Sequence, residues 1–395
     1  MHILFLSAWC PLPADNGAKL RISHLLRELA QRHTVDLLAF APDHPDAGAL
    51  RDLHAICADV ELLPETPFAG RASGRGLLST RPRSVVANHS IAMAAAVERR
   101  AARHYDLVIA SELHMAPYAL LLRGIPRLLE ELELAVIRDQ YRSQTTLRGR
   151  MRYGLTWWKT RRYVSELLRA FAGVTVVSQQ ELALLQPLAP PHMPMAIVPN
   201  GVDVAACAGD FGLPEAGTLI YPGALSYDAN FDAMSYFLQE ILPRVRAVRP
   251  NTRLRITGRA TPAQIAALPQ AAGVEFTGFL HDVRPAVAGA WVEVVPLRKG
   301  GGTRLKVLEA LALGTPVVAT AKGIEGLALE HDRHVLVADT PAEFAAQTLR
   351  LLEQPELRAR LAAAGRQVVA EHYDWQAIGQ QLNEYLLALH GADHE

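Results

Sequence analysis

Short apolar runs alternate with stretches of helical period through the first half of the chain. The runs are Ile3 to Ser7, Val35 to Phe40, Val60 to Leu63, Asp106 to Ala110, Arg127 to Glu130 and Val174 to Val177. Strands separated by helical patterns predict a parallel sheet with helices on both faces. After Pro199-Asn200-Gly201 a second series begins: Leu219 to Tyr221, Leu254 to Thr257, Val274 to Phe276, Val292 to Val295, Pro316 to Ala319 and Val335 to Ala338. The second half repeats the strand, turn and helix plan without repeating the residues. The pattern therefore predicts an α/β chain of two Rossmann-like domains, rather than a tandem repeat, with a deep cleft between them.

One stretch departs from a plain strand and helix plan. In PLRKGGGTRLKVLEALALGTPVVA, Leu305, Leu308, Leu311 and Ala312 recur at helical spacing, Gly300, Gly301 and Gly302 precede them, and Gly314-Thr315-Pro316 stops them. This is a glycine loop opening a helix, with Thr303 expected as its N-cap. Arg304 and Lys306 then stand at the positive end of the helix dipole, where each cation costs about 0.3 to 1 kcal/mol. With Arg298 and Lys299 beside them, and glycines that let a ligand reach backbone N–H groups, the stretch predicts an anion site of diphosphate charge. Glu309 follows within the same helix, a carboxylate suited to accepting bonds from hydroxyls. The competing reading is a solvated turn with a surface Lys306–Glu309 pair.

Other candidates lie at strand ends. WCPLPADNG puts Asn16-Gly17 after the first strand, where Gly17 is either a phosphate binder or simply the start of a helix. His114 follows the strand DLVIASE, where an imidazole can bond a ligand or serve the structure alone. Leu63 to Arg83 is rich in proline and glycine, carries Arg71, Arg75, Arg81 and Arg83, and reads as a mobile basic loop. Tyr141 to Tyr163 holds seven basic side chains, five aromatic ones and no acid. Its Arg150, Arg152, Trp157, Trp158, Arg161 and Arg162 suit the surface of an anionic membrane, against the plain alternative of a solvated helix with two partly buried tryptophans.

Composition narrows the classes. The 395 residues suffice for two cores, and half of them are hydrophobic. Forty basic residues balance forty acidic ones, so overall charge does not favour nucleic acid as a partner. Cys10, Cys57 and Cys207 have no metal-ligand spacing and fit a reducing compartment. MHILFLSAW lacks a basic leader region and is soon broken by Pro11 and Pro13, so it reads as a first strand. No run of about 18 apolar residues marks a membrane span. A cytoplasmic protein is expected, and the inner face of the cell membrane is where its basic aromatic stretch would place it.

PLRKGGGTRLKVLEALALGTPVVAT resembles the donor-site signature of family 4 glycosyltransferases, and IVPNGVD at Ile197 to Asp203 resembles that family's junction between domains. TGFLHDV at Thr277 to Val283 and the order of elements extend the resemblance over nearly the whole chain. It implies a GT-B fold with an acceptor domain at 1–199 and a nucleotide-sugar domain at 200–373, the last helix, 374–395, crossing back onto the first. It implies transfer of a sugar from a nucleotide-sugar donor to a glycan, lipid-linked or small-molecule acceptor, with retention and without a metal or other cofactor. GGGTRLKVLEAL followed by KGIEGL is similar to the branch that builds exopolysaccharide and cell-envelope glycans. His114, Arg304 and Glu309 would then serve catalysis, and Gly17, Gly223, Arg259, Gly300 to Thr303, Arg304, Lys306 and Glu309 would hold the donor. Two departures stand out: Gly301 occupies the place of the family's first glutamate, and Ala229 stands before Asn230 where a lysine is usual. A nucleotide-sugar epimerase and a non-catalytic nucleotide-sugar-binding protein are the alternatives.

Overall fold

The computed structural model describes residues 1–41, 45–65, 79, 81–82, 85–86 and 89–392. Most of the basic stretch from Leu63 to Arg83, including Arg71, Arg75 and Arg83, lies outside the described residues. The chain forms two compact units: Met1–Pro199 with Ile378–Glu395, and Asn200–Ala377.

The first unit is built on a seven-stranded sheet in the order β3-β2-β1-β4-β5-β6-β7. Its strands are β1 (His2–Ser7), β2 (Thr34–Phe40), β3 (Asp59–Leu63), β4 (Leu107–Ser111), β5 (Arg127–Glu130), β6 (Gly173–Val176) and β7 (Met195–Ile197). All their pairings are parallel. A parallel sheet covered on both faces needs apolar residues on both, and β4, with the sequence LVIAS, is buried at every position. The apolar pattern does not mark β7, a three-residue strand between prolines of which only Ile197 belongs to the IVPNGVD junction.

Helix α1 (Gly17–Ala30) follows β1. Asn16 caps it by accepting from the Lys19 N–H at 3.1 Å, so Asn16-Gly17 starts a helix and is not a free turn. The long helix α2 (Leu147–Leu167) buries Thr160, Tyr163, Val164 and Leu167. Arg21 of α1 is fully buried. Its guanidinium meets Glu130 at 2.5 Å and donates to the carbonyls of Val198 and Pro199, both at 2.9 Å.

The second unit has a six-stranded sheet in the order β10-β9-β8-β11-β12-β13. Its strands are β8 (Glu215–Pro222), β9 (Arg253–Thr257), β10 (Val274–Gly278), β11 (Ala290–Val295), β12 (Val317–Ala319) and β13 (Leu336–Val337), again all parallel. Helix α3 (Asp228–Tyr236) follows β8, and α4 (Leu305–Leu313) follows β11. Leu308 and Leu311 of α4 are fully buried, and Gly314 ends the helix at φ 79°. The final helix, α5 (Trp375–Ala392), packs into the first unit from Ile378 onward. There Asn383 lies 2.7 Å from His33, and the Tyr385 hydroxyl donates to the Pro194 carbonyl at 2.9 Å.

Candidate active site

Strand order reverses between β8 and β11, and open α/β sheets bind ligands outside the carboxyl ends of strands at such a switch point. Here the loops after β8, β9 and β11 approach one another through glycines. A Cβ on Gly258, whose φ is +114°, would stand 2.7 Å from the Gly223 carbonyl carbon, and one on Gly300, whose φ is +104°, would stand 3.0 Å from the Ala229 Cβ. Only glycine permits this spacing at those dihedrals.

Lys306 reaches into that junction. A Cβ on Gly223 would lie 2.8 Å from its Nζ. Nζ donates to Asn230 Oδ1 at 3.3 Å and sits 3.9 Å from the centroid of the Tyr221 ring. Asn230 is held by the Tyr221 hydroxyl at 2.6 Å and itself donates to the Ala224 carbonyl at 2.9 Å. Burial pulls the Lys306 pKa from 10.5 down to about 8, with Arg304 adding to the shift and Glu293 and Glu309 opposing it.

Glu293, which sequence reasoning missed, stands in the middle of β11. It is fully buried, and neither of its carboxylate oxygens has a hydrogen bond. Burial holds its carboxyl well above the usual range, against the pull of Lys306 and with Glu309 adding to the rise. Its only sequence signal is a charge inside the apolar run AWVEVV. Glu309 sits on α4, its carboxyl also raised by burial against the pull of Lys306. Lys306 and Glu309 are both half-buried, so neither is the fully solvated group that a plain surface pair requires.

The other cations of the stretch are already engaged. Arg298 pairs with Asp232 at 2.8 Å and lies 4.3 Å from the centroid of the Tyr236 ring, while Lys299 pairs with Asp228 at 2.6 Å, both acids coming from α3. Arg304 is buried, and its guanidinium turns back into the loop. It donates to the carbonyls of Gly300 at 2.9 Å, Gly301 at 2.6 Å, Gly302 at 2.8 Å and Lys322 at 3.3 Å. Thr303 is not the N-cap. The helix begins at Leu305 with Arg304 in the cap position, because the Thr303 hydroxyl instead accepts from Asn200 Nδ2 at 2.8 Å. That bond ties the Asn200 junction to the glycine loop. Gly301 and Gly302 are exposed, and the Tyr227 hydroxyl lies beside Gly300. Arg259 is exposed after β9, with its guanidinium 4.9 Å from the centroid of the Phe279 ring.

The first unit has its own switch point, between β1 and β4. Trp9 after β1 donates through Nε1 to Glu112 after β4 at 2.9 Å, and Glu112 lies 3.5 Å from His114 Nδ1. Glu112 and Glu131, directly after β4 and β5, adopt φ of 68° and 57°, a left-handed backbone that side chains rarely take. Sequence reasoning nominated His114 but neither glutamate. Gly17 is the first residue of α1 in this unit. On α2, Trp158 is exposed, whereas Trp157 is half-buried against the apolar core of the unit.

Residues 15–206 match the family described as Glycosyltransferase Family 4, and residues 216–354 match Glycosyl transferases group 1. The chain is 32% identical over 197 residues to a phosphatidyl-myo-inositol mannosyltransferase of Mycobacterium leprae, a match spanning 47% of this chain and 51% of the relative. An uncharacterised 44.6 kDa protein in the cps region of Klebsiella pneumoniae is 20% identical over 393 residues, 95% of this chain and 97% of that one. The crystal structure of Anabaena HepE in complex with UDP shares the fold, with a TM-score of 0.67 at 18% identity over 98% of this chain and 100% of that one. Two Rossmann-like units define the GT-B class. Within it, this chain belongs to the family 4 glycosyltransferases.

Proposed function

We propose that this chain transfers a sugar from a nucleotide-sugar donor to an acceptor hydroxyl, with retention and without a metal, in the synthesis of exopolysaccharide, glycolipid or another cell-envelope glycan. The observation that carries the reading is the half-buried Lys306 ammonium at the β8–β11 switch point, set against Gly223 and bonded to Asn230. A cation at that place meets a diphosphate. The relative's lipid acceptor and the cps setting of the full-length relative support the envelope role, with the acceptor presented at the inner face of a membrane.

The residues divide the work. Lys306 and the N–H groups of the glycine loop hold the diphosphate and stabilise the charge that grows on it as it leaves. Lys306 arrives from α4 beside Asn230, close to where the family's usual lysine, replaced here by Ala229, would have come from. Glu309 accepts from the ribose hydroxyls. Arg304 keeps the loop open by occupying its carbonyls, and Arg259 and Gly223 line the donor. His114 bonds a hydroxyl of the sugar, and no nucleophile is assigned because attack from the leaving-group face needs none.

Titrating a nucleoside, a nucleoside diphosphate and a nucleotide sugar tests the assignment. Glu309→Gln should weaken all three at least tenfold, since a bond to a charged acceptor contributes about 1.5 to 3 kcal/mol. Lys306→Met should weaken the two diphosphates and spare the nucleoside. Turnover should persist in EDTA. Equal affinities in wild type and variants would sink the site, turnover lost in EDTA and restored by magnesium would sink metal independence, and sugar inversion without an acceptor would indicate an epimerase.

A further inference from the structure

Four of the twelve large apolar side chains left exposed among the described residues sit on one helix, α2, and their spacing is regular. Leu147 is 75% exposed, Met151 68%, Leu155 49% and Trp158 54%. At 3.6 residues per turn they fall within an arc of about 80°. Thr160, Tyr163, Val164 and Leu167 form the buried face, and by the same geometry it lies on the opposite side of the helix. The stripe is therefore not a ragged edge of the core. It is a second apolar face, and water is a poor partner for it.

The charges around the stripe say what partner fits. On the same wheel Arg150 and Arg161 flank one side, Arg148, Arg152 and Lys159 flank the other, and Arg162 lies within the arc. All five arginines are exposed. The helix carries a single acid, Glu166, which pairs with Arg162 at 2.9 Å near its end. A protein partner with an apolar groove would not need cations on both flanks. A leaflet of anionic lipid would, because phosphates lie at the level of the cations when the stripe sinks into the acyl boundary.

We propose that α2 docks this chain on an anionic membrane surface, with Leu147, Met151, Leu155 and Trp158 entering the interface and the flanking arginines meeting lipid phosphates. The face differs from the residues nominated by sequence, since Trp157 turns toward the core and three aliphatic side chains take its place. The docking does not depend on the donor chemistry, so the two stand or fall separately.

Vesicles of phosphatidylcholine with and without phosphatidylglycerol, floated with the full-length chain, test it. Wild type should bind the anionic vesicles and not the neutral ones. Tryptophan emission should shift to the blue on binding and be quenched by lipids brominated near the top of the acyl chain, and Trp158→Phe should remove most of that change. The triple variant Leu147→Ser, Met151→Ser, Leu155→Ser should lose at least about tenfold in apparent lipid affinity while keeping its thermal unfolding and its nucleoside diphosphate affinity. Vesicle binding unchanged in the triple variant would overturn insertion and leave only a charge contact. A lipid-independent dimer that the triple variant dissolves would overturn the membrane in favour of a second copy of the chain.

Discussion

Lys306 is the residue on which the donor reading turns, and its environment makes a pH prediction. Its pKa of about 8 means the ammonium loses charge as pH rises through that value. Nucleoside diphosphate affinity, followed by calorimetry, should therefore fall as pH rises through about 8, while nucleoside affinity stays level. A flat diphosphate profile across that range would remove Lys306 from the phosphates. The stability linkage has a definite sign. Because folding lowers this pKa from 10.5, the folded chain holds fewer protons than the unfolded chain between about pH 8 and 10.5, and this group's contribution to stability rises with pH across that window. Glu293 carries the opposite sign. Its raised pKa lets the folded chain hold more protons above the ordinary carboxylate range, so its contribution falls as pH rises from there toward the folded value. Neither effect was legible in the sequence. Lys306 looked like one cation among four, and Glu293 like a break in an apolar strand, because burial depends on elements distant in the chain.

At the scale of the element, the glycine loop and α4 act as one device whose shape Arg304 holds by four carbonyl contacts. The loop's glycines are not equivalent. Gly300 and Gly302 both have positive φ, but a Cβ would crowd Ala229 and Tyr227 at Gly300 and meet nothing within 4 Å at Gly302. Gly302→Ala should cost only the backbone strain, about 1 to 2 kcal/mol. Gly300→Ala should cost more and also weaken diphosphate binding, as it pushes the loop off α3. Urea unfolding of the two variants decides it, and equal losses would mean the loop yields freely. The sequence disclosed the helix and its stop, Gly314, with good fidelity, since apolar spacing and a terminal glycine are local signals. It misplaced the start. Thr303 has the chemistry of a cap, and only the arrival of Asn200 across 103 positions withdraws its hydroxyl from that role.

Across the whole molecule, the end of the first unit is anchored by a charge inside its core. Arg21 holds Glu130, which also accepts from the Ser111 hydroxyl at 2.9 Å, and binds the carbonyls of Val198 and Pro199 where the unit ends. Arg21→Leu leaves the buried Glu130 carboxylate without its cation and takes a donor from two carbonyls. Breaking such a pair costs about 3 to 5 kcal/mol, so the variant should unfold at clearly lower denaturant, whereas Arg99→Leu, at an exposed pair with Glu61, should change stability by less than about 1 kcal/mol. Similar midpoints for the two variants would mean that solvent reaches Arg21.

The alternation of apolar runs and helical periods was enough to determine two parallel α/β units, because a strand covered on both faces must be apolar throughout and a surface helix must not be. The glycine loop, its helix and the basic character of Tyr141 to Tyr163 were likewise visible, being properties of neighbours in sequence. Tertiary structure decided which charges are available. Asp232 and Asp228 claim Arg298 and Lys299, the loop's own carbonyls claim Arg304, and Lys306 is carried inward beside Glu293. It also decided that Trp157 faces the core while Leu147, Met151 and Leu155 face outward. A side chain's charge is written in the sequence, but its partner and its exposure depend on residues that only folding brings within a few ångströms.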